Sequence, residues 1–153
     1  MAKEEISFSA DVISMLSLTI TKSLLDYEFD FNSEEIDNFE FEYSFDLKIA
    51  PKSEQIKTVF RVKIETVSTT QQKEASGVFE FVYLYNVHQI SRYIKASGGN
   101  YKMKPVLANS IAAITYSTSL GVLMMQIRNS ALEKFLLPVI NPNVLLKQLG
   151  QAN

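Results

Sequence analysis

His88 is the only histidine in the chain and there is no cysteine, so thiol nucleophiles, thiolate metal sites and disulfide frameworks are all absent. A Ser/His/Asp relay would have to be built around His88, but no serine and carboxylate stand out as its partners. A helix-surface histidine is the simpler reading. Glu40, Glu42 and Asp46 share one face of an alternating run and could imitate an acid/base carboxylate pair, yet they alternate as solvated strand residues do. Gly98-Gly99 lacks the GxxxxGK[ST] frame and no GxGxxG occurs, so no phosphate cradle is present and ATP use is not expected. These residues point to a protein that is not an enzyme, with no cofactor and no metal site.

What remains to be positioned is apolar surface. Hydrophobic residues make up 46% of the 153 positions and charged residues 21%, with a net charge of -2, the balance of a soluble globular protein in a single domain spanning residues 1–153. No basic excess points to nucleic acid. The N-terminus, Met1-Ala2-Lys3-Glu4-Glu5, is acidic and is not a signal peptide, so a cytoplasmic protein is the expectation.

Residues 106–127 carry no charge. About 20 apolar residues cross a bilayer, but Asn109, Ser110, Thr115, Tyr116, Ser117, Thr118, Ser119 and Gln126 interrupt the run, which argues against membrane insertion. At helical spacing Leu107, Ile111, Ile114, Thr118, Val122 and Met125 form one stripe, and Ala108, Ala112, Thr115, Ser119 and Gly121 form a second face of small side chains. The first stripe would cover a sheet. The second would pack near a symmetry mate, giving Ala108, Ala112, Thr115 and Ser119 as an oligomer interface.

Earlier in the chain, residues 6–20 read as one long strand bent near Asp11, followed by an acidic, aromatic connection over residues 25–39 that carries Tyr27, Phe29, Phe31 and Phe39. Phe39, Phe41, Tyr43, Phe45, Leu47 and Ile49 alternate with polar residues. After a turn at residues 50–54, so do Ile56, Thr58, Phe60, Val62 and Ile64, which makes a hairpin. Residues 78–85 are apolar on both faces, as in a central strand. The expected fold class is α+β, with a four-stranded antiparallel sheet. Residues 86–97 read as a short helix ended by Gly98-Gly99-Asn100, and Pro105 opens the main helix. Leu136-Leu137-Pro138-Val139-Ile140 is an extended link, and Asn141-Pro142 caps a short last helix over residues 143–149 that shows Val144, Leu145 and Leu149.

This order of elements resembles the SecB family of export chaperones. The likeness rests on Ser76-Gly77-Val78-Phe79, similar to the family's glycine-containing start of the fourth strand. It rests also on Leu137-Pro138-Val139-Ile140-Asn141-Pro142-Asn143-Val144-Leu145-Leu146, similar to its "LAPVNFDAL" ending. The resemblance implies a sheet in the order 1-4-3-2, a homotetramer built as a dimer of dimers through the long helix, and an ATP-independent holding chaperone for unfolded polypeptides. Clients would lie against Tyr27, Phe29, Phe31, Phe39, Val144, Leu145 and Leu149. The family's SecA motor docks on acidic residues where this chain has Gln71-Gln72-Lys73-Glu74, and the family's C-terminal extension is missing after Leu149, which weakens the expectation of SecA as a partner. A dedicated antitoxin chaperone, within a toxin-antitoxin system, is an equally open role. Outside this class, the competing reading is a non-catalytic adaptor with one fixed protein partner.

Overall fold

The computed structural model describes residues 8–150. After a single 3-10 turn at Ala10–Val12, the chain forms β1 (Ile13–Asp26), β2 (Ile36–Ala50), β3 (Gln55–Ser68) and β4 (Ser76–Val87). They make one antiparallel sheet in the order β1-β4-β3-β2. The uninterrupted alternation of β2 and β3 sets this register: a slip of one residue would turn every inward aromatic to solvent. The turn between them places Glu54 in the left-handed region at φ 54°.

β4 is central, and its inward residues Phe79, Phe81, Tyr83, Tyr85 and Val87 are fully buried. Helix α1 (Pro105–Gln126) lies across this inner face. Its contact stripe is Leu107, Ile111, Ala112, Thr115, Tyr116, Ser119 and Leu123. α1 is long and apolar enough to cross a membrane, but that stripe is the underside of a core helix packed on a sheet. The chain then turns, with Ile127, Ala131, Leu132 and Phe135 buried, and runs extended into α2 (Pro142–Leu146). As expected from Asn141-Pro142, the Asn141 side chain accepts the Asn143 N–H at 2.9 Å.

Two expectations need correction. The strand read over residues 6–20 starts at Ile13 and continues to Asp26, so the following connection is only residues 27–35; Ile6 lies outside the described residues. β1 accommodates its change of phase with irregularities between Met15 and Ser17 and between Ile20 and Lys22, not at Asp11. Residues 86–97 do not form a helix. They finish β4, make one 3-10 turn and enter a hairpin of β5 (Ile94–Ser97) and β6 (Asn100–Met103). Gly98 and Gly99 take φ of 55° and 84°, the left-handed geometry of a two-residue hairpin turn, so the glycine pair joins two strands instead of ending a helix.

Candidate functional site

The small face of α1 is not free. Ala112, Thr115 and Ser119 are fully buried under the chain's own sheet, and Ala108 is half-buried. The physical reason lies opposite them. Tyr83 and Tyr85, stacked with ring centroids 6.1 Å apart, need space beneath the helix, and the small side chains provide it. The Tyr83 hydroxyl shares a hydrogen bond with Ser119 Oγ at 2.5 Å. The Tyr85 hydroxyl meets Thr115 Oγ1 at 2.8 Å, and Thr115 also meets Thr58 Oγ1 at 3.1 Å. Burial pushes the Tyr83 phenol up to about 12 and raises that of Tyr85. Ala112, Thr115 and Ser119 are therefore intramolecular packing residues and cannot form the expected oligomer interface. Val106, Met124 and Met125 are the apolar α1 residues left exposed, with Met125 at 77%.

The apolar residues expected to meet clients divide in the same way. Phe29 is fully exposed at the tip of the 27–35 connection, and Tyr27 and Val144 are also exposed. Phe31 and Leu149 are half-buried against the core. Phe39 belongs to β2 and not to the connection, and its ring packs edge-on against Phe135 at 5.5 Å. Leu145 is fully buried. On a one-turn helix capped against the core, consecutive leucines and valines must diverge; Leu145 turns inward and Val144 outward. Leu145 is a core residue, not a contact surface.

Leu136 and Val139, on the extended link and not among the expected contact residues, complete the surface. Phe135 packs on Phe39 and Phe41, and the Tyr116 hydroxyl donates to the Pro138 carbonyl while its ring lies against Tyr43. The link thus runs beside β2 with Phe135 and Leu137 turned in, and Leu136 and Val139 stand out at 63% and 98% exposure. Alternation along an extended, proline-held segment accounts for Leu136, which sits between the inward Phe135 and Leu137, whereas Val139 shares their parity and its exposure is not legible in the pattern. Tyr27, Phe29, Leu136, Val139 and Val144 are the exposed apolar residues that the first connection, the link and α2 present.

Hydrogen bonds hold the Phe29 connection in place. Asn32 N–H donates to Gln72 Oε1 at 2.9 Å, Gln72 Nε2 donates to the Asn32 carbonyl at 3.0 Å, and Thr69 N–H donates to the Glu35 carbonyl at 2.8 Å. Ion pairs of Glu28 with Lys73 and of Glu34 with Lys134 tie it to the β3–β4 turn and to the segment after α1. On the opposite face of the sheet Arg61 bridges Asp46 and Glu80, and Thr21 donates to Glu80. Hydrogen bonds from Thr21 and then Arg61 hold the Glu80 carboxyl below its usual range. Shallow depressions on that face, over Glu42, Arg61, Lys63 and Val78 and over Glu40 and Glu65, are bordered by solvated charges and lie apart from the apolar residues.

No family model and no curated protein sequence matches the chain. Among solved structures it is similar to the Mycobacterium tuberculosis Rv1957 SecB-like chaperone in complex with a ChAD peptide from the Rv1956 HigA1 antitoxin. The TM-score is 0.63 and the identity 11%, over 86% of this chain and 92% of that one. A protein of unknown function from Streptococcus agalactiae matches at TM-score 0.33 and 12% identity, over 83% of this chain and 97% of that one. The chain has a SecB-like α+β fold.

Proposed function

We propose that the protein is a soluble, cytoplasmic, non-catalytic holding chaperone that binds extended apolar segments of unfolded polypeptides without ATP. The observation that carries this reading is the fully exposed Phe29 ring, together with the outward Leu136 and Val139, on a SecB-like fold. Exposed large apolar side chains held on ordered backbone mark a surface for other proteins. The acids around Phe29, namely Asp26, Glu28 and Asp30, keep it hydrated when empty and draw in basic segments. That the SecB-like protein of similar fold was solved with an antitoxin peptide supports an extended peptide as ligand and makes an antitoxin a fitting client.

We further assign self-association, as a homotetramer, to surfaces other than the small face of α1. β1 is a sheet edge that exposes Met15, Leu16, Ile20, Leu24 and Leu25, and Lys22 is its only charge before Asp26. The other edge, β2, carries Asp37, Glu40, Glu42, Asp46 and Lys48, the charges that keep edges apart. β1 is thus the edge suited to a second copy.

The test is suppression of aggregation of several unrelated unfolded proteins, without nucleotide, by the wild-type protein. Suppression across clients supports the chaperone. Binding to one folded partner with no suppression supports the adaptor instead.

A further inference from the structure

The β5–β6 hairpin is a basic projection in an acidic protein. Residues 81–132 contain no aspartate or glutamate, and Arg92, Lys95, Lys102 and Lys104 are all exposed there, beside an exposed Tyr101. Among the described residues none of the four forms an ion pair. Among the described residues, Asp11 lies in the turn before β1, and Glu54 has a carboxylate that accepts the Ile90 N–H. Lys95 and Lys102 are direct cross-strand partners, so like charges face each other on an isolated two-stranded ribbon. That pairing opposes the hairpin's formation, and an anion placed over it would relieve the repulsion.

A matching anion exists at the other end of the same sheet. The 27–35 connection and its flanks carry Asp26, Glu28, Asp30, Glu34, Glu35 and Asp37, of which, among the described residues, only Glu28 and Glu34 form ion pairs, with Lys73 and Lys134. The two clusters cannot meet within one chain. The hairpin stands at the Ile13 end of β1, where Phe8 packs on Tyr93 at 5.5 Å and His88 N–H donates to the Val12 carbonyl. The acidic connection leaves the Asp26 end, and the 14 residues of β1 separate them by roughly 45 Å. Two β1 edges paired antiparallel over their full length bring Ile13 of one copy opposite Asp26 of the other. The acidic connection of each copy then comes to the same end of the joint as the hairpin of its partner.

We infer that the basic hairpin is a docking element for the acidic 26–37 segment of a second copy of this chain, fixing the direction in which two β1 edges join. This rests on the edge pairing proposed above, and it commits to a second copy because charge and position match there. A free polyanion is disfavoured by the net charge of -2 and by the acidic connections around the assembly.

The experiment uses two full-length variants, one carrying Lys95→Glu with Lys102→Glu and the other Asp30→Lys with Asp37→Lys. All four residues are exposed, so circular dichroism and melting should match wild type. Sedimentation at about 50 mM salt should show each variant alone self-associating about tenfold more weakly than wild type, with the difference shrinking near 500 mM as screening sets in. Mixed one to one, the two variants should associate as tightly as wild type, because each contact in the mixed pair again joins opposite charges. A mixture no tighter than its components overturns the inference, as does a wild-type protein that is monomeric at micromolar concentration. So does a hairpin variant that self-associates normally but loses binding to a fluorescent oligonucleotide or a polyglutamate peptide. Aggregation assays with the wild-type protein separate the two readings. Restored association without any client holding upholds this contact and removes the chaperone, whereas client holding with failed restoration does the reverse.

Discussion

Phe29→Ala should weaken client binding and leave the fold untouched, and the contrast with Leu145→Ala measures how the surface and the core divide. The Phe29 ring is fully exposed, so truncating it removes no packing and should change unfolding free energy by no more than about 0.5 kcal/mol. Full burial of a phenylalanine side chain against a client is worth roughly 1.5 to 3 kcal/mol, so affinity should fall by about 10- to 150-fold. Leu145 is fully buried, and Leu145→Ala should cost about 2 to 5 kcal/mol of stability through lost transfer energy and a residual cavity. Fluorescence anisotropy with a labelled unfolded peptide gives the affinities, and urea unfolding gives the stabilities. If Phe29→Ala unfolds early, or binds the peptide as tightly as wild type, the ring is not a client contact and the surface is misplaced.

Thr115→Val should destabilise by about 1 to 3 kcal/mol, because it removes the hydroxyl that the buried Tyr85 and Thr58 hydroxyls both meet; adding Tyr85→Phe should recover part of that in urea unfolding. In alkali, Tyr83 and Tyr116, both pushed up to about 12 by burial, should hold their protons while unfolded tyrosines ionise near pH 10. Stability is therefore fully present below about pH 10 and lost as pH rises toward about 12, and phenolate absorbance should show these two rings titrating with unfolding. Gly77→Ala should cost about 1 to 3 kcal/mol by thermal melting, since an added Cβ would stand 2.5 Å from Leu132 Cδ1 and 2.7 Å from Phe79 Cε2.

Period and punctuation alone determined much of the molecule. The faultless alternation through residues 39–49 and 56–64, the two-sided apolar run at 78–85 and the uncharged run at 106–127 define strands and a helix because each buried face must recur at the period of its backbone. Asn141-Pro142 likewise specified a helix start, since a side-chain cap and a missing N–H are local properties. The strand order 1-4-3-2 was reached through resemblance and agrees with the two-sided fourth strand.

Direction was decided only by the tertiary structure. Residues 112, 115 and 119 are small, and small residues suit either a second chain or a crowded sheet; the choice fell to Tyr83 and Tyr85, whose hydroxyls lie 36 and 30 residues away from their partners in sequence. Gly98-Gly99 suits either a helix end or a hairpin turn, and what followed it in space, β6 pairing back onto β5, settled which. Val144 and Leu145 are equally apolar, and only the position of α2 against the core turns one outward and buries the other. Local pattern records that a side chain seeks cover; which neighbour covers it depends on contacts between residues far apart in the chain.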